Sequence, residues 1–151
     1  MDLFEQKFKD SLKSNVSLLD RIMHYIIKRK GKQMRPMFVF LSAKLFGKFE
    51  ENTYRAASMI ELLNTATLVH DDVIDESKRR RGNLTANEVW GNKTSVLVGD
   101  FLFSRAFQLM TKYGNLEVLK ILSDTSVTIS EGEVLELTND KDPTINEDTY
   151  F

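Results

Sequence analysis

The residues best suited to chemistry lie mid-chain, in the run Leu68-Val69-His70-Asp71-Asp72-Val73-Ile74-Asp75. On a helix, Asp71 and Asp75 fall one turn apart on a single face, with Asp72 about 100° round. Carboxylates so placed repel one another, and they sit where a helix C-terminus prefers cations. A hard divalent cation such as Mg2+ resolves that conflict, being commonly held by one or two carboxylates plus substrate phosphates. Shortly after Asp75 come Arg79-Arg80-Arg81-Gly82, and arginine forks match phosphate geometry. Carboxylates for a metal beside arginines for an anion read as two halves of one diphosphate site. The plainer reading, a solvated helix end followed by a solvated loop, leaves the juxtaposed charges of opposite sign unexplained.

A second basic cluster lies upstream in Gly31-Lys32-Gln33-Met34-Arg35-Pro36. Lys32 and Arg35, set beside the amides of a helix that Pro36 opens, could form a phosphate pocket. They could equally be charges capping one helix and solvating the next. The two histidines carry little chemistry. His70 reads as a structural or helix-surface residue, and His24, among apolar neighbours, as packing. A di-iron bundle requires Glu-x-x-His pairs, but Arg21 and Thr67 stand three residues before the histidines. Walker A and GxGxxG motifs and a nucleophilic serine or cysteine context are all missing.

Helical periodicity must position these groups. Leu3, Phe4, Phe8 and Leu12 form a stripe on a first helix. Leu19, Ile22, Met23, Ile26 and Ile27 form another over 16–28, which basic residues and Gly31 end. Pro36 opens a third helix, 37–46, stopped by Gly47. Glu50, Glu51 and Asn52 start the long helix that ends at the aspartates. After a loop at 76–84, the pattern predicts a short helix from Thr85 to Trp90, an apolar one over 94–113, and another over 116–138. A loop at 139–143 leads to a capping box, Thr144 with Glu147, on a helix barely begun at Phe151. That ending makes the chain look cut short. No β-strand alternation or internal repeat is visible, and an all-α antiparallel helical bundle follows.

Bulk properties narrow the class. A chain of 151 residues with 42% hydrophobic and 28% charged residues suits one soluble domain with a core. With 21 basic and 22 acidic residues, net charge −1, a general nucleic-acid or membrane-surface role is disfavoured. No signal peptide precedes the first helix, no apolar run is long enough to span a bilayer, and there is no cysteine. A cytoplasmic location fits these features.

These features together resemble the trans-polyprenyl diphosphate synthases, particularly the long-chain type. The resemblance is carried by GKQMRP at 31–36, LLNTATLVHDDVID at 62–75, RRRGNLTAN at 79–87, VLVGDFLFSRAF at 96–107 and EGEVLEL at 131–137. It runs along nearly the whole chain but covers only the N-terminal half of the family's isoprenoid-synthase bundle. The second aspartate-rich motif has no counterpart, so 1–151 reads as one partial domain.

The resemblance implies a prenyltransferase that condenses isopentenyl diphosphate with an allylic diphosphate such as farnesyl diphosphate, as for a quinone side chain. Asp71 and Asp75 would hold Mg2+ on the allylic diphosphate, Asp72 would complete the catalytic cluster, and Arg80 would contact that diphosphate. Lys32, Arg35 and Arg81 match positions that bind isopentenyl diphosphate. The family's usual histidine seven residues before the first aspartate is Asn64 here, which can hydrogen-bond phosphate but carries no charge. Ala66 stands where a bulky aromatic stops chain growth in shorter-product members. With Thr67 one turn below Asp71, it implies an open tunnel and a long product. Phe101, Phe103, Phe107 and Met110 could wall that tunnel or simply pack the core. The partners implied are a second copy or a complementing chain. The alternatives are a half-enzyme without activity alone, binding one diphosphate or pairing with another chain, and a helical interaction module, which has no need of the carboxylate and arginine motifs.

Overall fold

The structure, a computed structural model, describes residues 2–28, 31–113 and 116–139. The elements in order are α1 (Asp2–Ser11), α2 (Ser17–Lys28), α3 (Met34–Phe46), α4 (Glu51–Ile74), β1 (Arg79–Arg80), β2 (Asn83–Leu84), α5 (Ala86–Trp90), α6 (Asn92–Tyr113) and α7 (Leu116–Asn139). The chain forms two compact units, 1–113 and 114–151. In the second, α7 is the element described, and it carries the 131–137 motif. The anticipated loop beyond Asn139 and the Thr144–Glu147 capping box lie outside the described residues.

In the first unit α4 is the central element, packed chiefly on α6 and then on α3, with α1 and α5 against it as well. Its start is fixed by a capping box. The Glu50 side chain accepts from the Thr53 amide, and Thr53 Oγ1 accepts from the Glu50 amide at 3.2 Å, so amides without helical partners are satisfied. The core follows helical spacing. Leu62, Ala66 and Val69 of α4 and Val98, Leu102, Ala106 and Met110 of α6 are buried. Close approach of these two helices also requires Gly99, because a methyl group there would overlap the His70 ring. His70 Nε2 lies 3.0 Å from the Val96 carbonyl, and its ring sits 5.8 Å from that of Phe103. It is a structural residue joining α4 to α6.

An aromatic cluster ties α1 to α3 and α4. Phe4 meets Phe8 and Phe40 with centroids 5.7 Å apart in each case, and Phe40 meets Tyr54 at 5.1 Å. Of the α1 stripe, Phe4, Phe8 and Leu12 are buried, but Leu3 is 50% exposed, since it lies a full 100° from Phe4 on the helix. His24 is exposed too. It lies on the outer side of α2 while Ile22 and Met23 turn inward, so the packing role expected of it is not what the structure gives.

The region 76–84 is not an irregular loop. Arg79–Arg80 pairs antiparallel with Asn83–Leu84, Arg80 opposite Asn83. Arg81 and Gly82 form the two-residue connection with φ of 51° and 80°, the signs a type I′ turn requires. Strands of two residues show no alternation, which is why the sequence pattern passes over them.

Candidate functional site

The C-terminal turn of α4 places the aspartates. Glu76 adopts φ 51°, its amide bonds the Val73 carbonyl at 3.3 Å, and the Ser77 amide bonds the Asp72 carbonyl at 3.0 Å. That is the Schellman arrangement, built here on a glutamate where glycine is usual. It reverses the chain and brings the arginine hairpin back along α4. Asn87 Nδ2 donates to the carbonyls of both Asp72 and Ser77 at 3.1 Å, and Thr85 Oγ1 donates to the Ser77 carbonyl at 2.7 Å. On the other side, Tyr25 OH donates to the Leu84 carbonyl at 2.8 Å, and its ring meets Trp90 edge-on at 4.7 Å. The hairpin is therefore fastened to α2, α4 and α5.

A cavity of about 630 Å³ opens between these elements. Its polar lining includes Lys32 from the loop before α3, Arg35 from the first turn of α3, Asn64 and Asp72 from α4, and Arg80 and Arg81 from the hairpin. Apolar groups line it as well, among them Ile26, Ile27, Leu68, Val69 and Leu102. Charged residues 49 positions apart in sequence, Lys32 and Arg81, thus share one space. Arg81 lies directly against Gly31, where a methyl group would overlap its guanidinium. The wall differs from expectation in one respect. From α6 the cavity takes Leu102, and none of Phe101, Phe103, Phe107 or Met110 lines it. Met110 is core, and Phe107 is 54% exposed.

The three aspartates do not share one environment. Asp72 is 6% exposed, and its Oδ1 accepts a 2.7 Å bond from Arg80 Nε. Burial pushes its carboxyl up from the ordinary aspartate range, and the Arg80 bond opposes that shift. Asp71 and Asp75 lie on another face and do not line the cavity. Partial burial, and then the neighbouring Asp75 charge, raise the Asp71 carboxyl, with Arg80 pulling the other way. Among the described residues no three acidic or histidine side chains gather into a metal-holding cluster. The pair Asp71 and Asp75 nevertheless offers hard oxygen donors one helical turn apart, with repulsion that a divalent cation would relieve. This donor set suits a hard divalent cation with further oxygen ligands completing the shell. Ala66 is fully buried and Thr67 half-buried, and neither lines the cavity.

Sequence reasoning passed over Tyr25, Thr85 and Asn87, which hold the hairpin. The only available signal was the inclusion of the latter two in the 79–87 motif, because a side chain that bonds a distant carbonyl leaves no periodic trace.

Residues 16–151 match the sequence model of the Polyprenyl synthetase family. The octaprenyl diphosphate synthase of Escherichia coli (strain K12) is 49% identical over 143 residues, covering 94% of this chain and 44% of that protein. The crystal structure of a decaprenyl diphosphate synthase from Rhodobacter capsulatus superposes with a TM-score of 0.92 at 42% identity, covering 99% of this chain and 46% of that one. A polyprenyl synthase from Caulobacter crescentus, solved with calcium and isoprenyl diphosphate, also gives 0.92, at 38% identity and the same coverage. The chain spans about half the length of the curated relatives it matches.

Proposed function

Because the chain belongs to the polyprenyl synthetase family, we propose that it supplies the N-terminal, diphosphate-handling half of a long-chain trans-polyprenyl diphosphate synthase. The observation that carries this reading is the convergence of Lys32, Arg35, Asn64, Arg80 and Arg81 on one cavity that apolar side chains also line. Cationic and apolar side chains lining one space suit a diphosphate with an isoprenoid tail. Relatives named for octaprenyl and nonaprenyl products support the long-chain class.

In this reading Lys32, Arg35, Asn64 and Arg81 hold isopentenyl diphosphate, and Arg80 contacts the allylic diphosphate. Asp71 and Asp75 are the residues that would hold Mg2+, which when bound supplies Lewis-acid stabilisation of diphosphate oxygens. Ionisation breaks the allylic C–O bond, and the electron pair leaves with the diphosphate. Arg80 stabilises the negative charge that grows there. The alkene of isopentenyl diphosphate attacks the allylic cation, forming a C–C bond. Loss of a proton restores a double bond in a product one isoprene unit longer. Leu68, Val69 and Leu102 keep water from the cation, which it would otherwise trap as an alcohol. Ala66 and Thr67 lie off this cavity, so a hold of theirs on product length would be exerted outside it. No helix among the described residues is long and apolar enough to cross a membrane, which suits work in the cytoplasm.

The reading includes a complementing half, from a second chain or a longer form of this one, since the second acidic motif is not in these 151 residues. The test is prenyl transfer from radiolabelled isopentenyl diphosphate to farnesyl diphosphate with Mg2+, using Asp71→Ala as control and sizing the products. The chain by itself is expected to give no product, and a co-expressed C-terminal half from a relative is expected to restore long products. Long products from the chain alone, abolished by Asp71→Ala, would establish the activity and overturn the half-site reading. Failure of both chain and complemented pair would overturn the synthase reading.

A further inference from the structure

We propose that Asp72 is a positioning residue for Arg80, braced by Asn87, and not a third metal-holding carboxylate. The inference rests on the reading of Arg80 as a diphosphate contact. It begins with the separation of the aspartates into two environments. Asp71 and Asp75 share one helical face off the cavity, whereas Asp72 is 6% exposed and lines it. The Asp72 side chain accepts from Arg80 Nε at 2.7 Å, a charge-assisted contact. Holding a guanidinium by Nε removes rotation of its plane while keeping the two terminal nitrogens out of that bond.

A brace of this kind works only if its own backbone is fixed, and here it is fixed twice. The Asp72 carbonyl accepts from the Ser77 amide at 3.0 Å and from Asn87 Nδ2 at 3.1 Å. The same Nδ2 reaches the Ser77 carbonyl at 3.1 Å, so Asn87 joins both sides of the turn that leads from Asp72 to Arg80. Facing two carbonyl oxygens, the amide can present only its NH2 group. Asn87 Oδ1 is buried with no hydrogen-bond partner among the described residues, a local cost that the two donated bonds must offset. Ordinary loop stability does not require a buried orphan acceptor. Fixing one guanidinium relative to a helix end does account for it.

Electrostatics and positioning predict opposite signs for the decisive variant. Removing the Asp72 charge should tighten an anion if charge alone matters, and weaken it if Arg80 loses its orientation. The experiment is calorimetric titration of the chain with inorganic pyrophosphate, with and without Mg2+. Asp72→Ala and Asn87→Ala are each expected to weaken binding, by about tenfold for the former, the scale on which outer residues act on the groups they orient. Asp72→Asn keeps an acceptor oxygen and should recover part of the loss. In an Arg80→Ala background neither substitution should weaken binding further, because a residue acting through Arg80 has nothing left to orient. Asp71→Asn, in contrast, should matter only when Mg2+ is present.

Tighter or unchanged binding by Asp72→Ala, a loss confined to Mg2+ conditions, or additivity with Arg80→Ala would each overturn the proposal. A ligand-free readout separates it from the reading beneath it. The Arg80 Nε–H resonance should exchange slowly with solvent in the wild-type chain and fast in Asp72→Ala and Asn87→Ala proteins that retain wild-type circular dichroism. Slow exchange in both variants would overturn the positioning role even if pyrophosphate binds. Absence of pyrophosphate binding with Nε–H protection intact would overturn the diphosphate contact and leave the brace standing.

Discussion

The two charged regions of the first unit are built on different principles. In the cavity, Asp72 is matched within the chain by Arg80 at 2.7 Å, and the cations Lys32, Arg35 and Arg81 share the lining. On the neighbouring face, Asp71 and Asp75 are like charges one turn apart, and burial with mutual repulsion raises the Asp71 carboxyl. The first region is organised by contacts the fold itself supplies. The second stores electrostatic cost that a ligand of opposite charge could release. A spacing of one residue, Asp71 to Asp72, is enough to move a carboxylate from one regime to the other, because it is about 100° of helix.

The largest expected effect comes from breaking the matched pair. Arg80→Ala strands the Asp72 carboxylate, which is nearly buried, and should lower unfolding free energy by about 2 kcal/mol in urea melts. Discounting for the partial exposure of Arg80 keeps this below the range for fully buried pairs. Equal stability in the two proteins would show that the cavity is no better matched than the carboxylate face.

Gly31→Ala addresses the same region from the opposite wall. The added methyl must push the Arg81 guanidinium aside, which its flexible stem permits, so the fold should survive. Pyrophosphate affinity should fall about fivefold, the value of one partly exposed charged contact. Unchanged affinity would remove Arg81 from the shared anion site.

On the carboxylate face a substitution should stabilise. Asp71 is harder to ionise in the folded chain than in the unfolded one, so its charge costs stability at neutral pH. Asp71→Asn should therefore melt above wild type at pH 7. That advantage shrinks as pH falls through the raised folded-state pKa and is gone below the ordinary aspartate range, where both states are protonated. Added Mg2+ should raise the wild-type melting temperature and leave that of Asp71→Asn nearly unmoved. A wild type more stable than the variant at pH 7 without metal would contradict the contrast.

The smallest effect is expected at the turn joining the regions. Glu76 holds φ 51°, which costs a side chain with a Cβ about 1 kcal/mol. Glu76→Gly should return roughly that amount in thermal unfolding, less the entropy that glycine adds to the unfolded chain. A loss of stability would mean that the glutamate side chain contributes to the turn.

Much of this was legible in sequence because helices announce themselves by period. The boundaries of α2, α4, α5 and α7 fall within about two residues of the pattern. Gly47 ends α3 as expected, but α3 begins at Met34, three residues before the expected start, with Pro36 inside its first turn, where a missing amide hydrogen costs nothing. The charged residues of the site were legible by type, since buried or clustered charge requires a reason. What stayed hidden depends on direction and distance. Leu3 and His24 sit in apolar company in sequence but point outward. The aromatic residues of α6 share a helix with Leu102, yet only Leu102 reaches the cavity. The hairpin is too short to alternate, and the hold of Asn87 on Asp72 crosses 15 residues. Pattern gives the face of a helix; packing decides what that face meets.

The hairpin also carries a consequence for digestion. Lys78, Arg79, Arg80 and Arg81 follow one another, so four consecutive peptide bonds satisfy the specificity of trypsin. A protease needs an extended, released stretch of chain, while this one is pinned by Tyr25, Thr85 and Asn87. Cleavage there must wait for local opening. Two of these four, Arg80 and Arg81, line the cavity and thus make the chain its own reporter: the rate at which trypsin cuts at 78–81 measures how often the anion site comes apart.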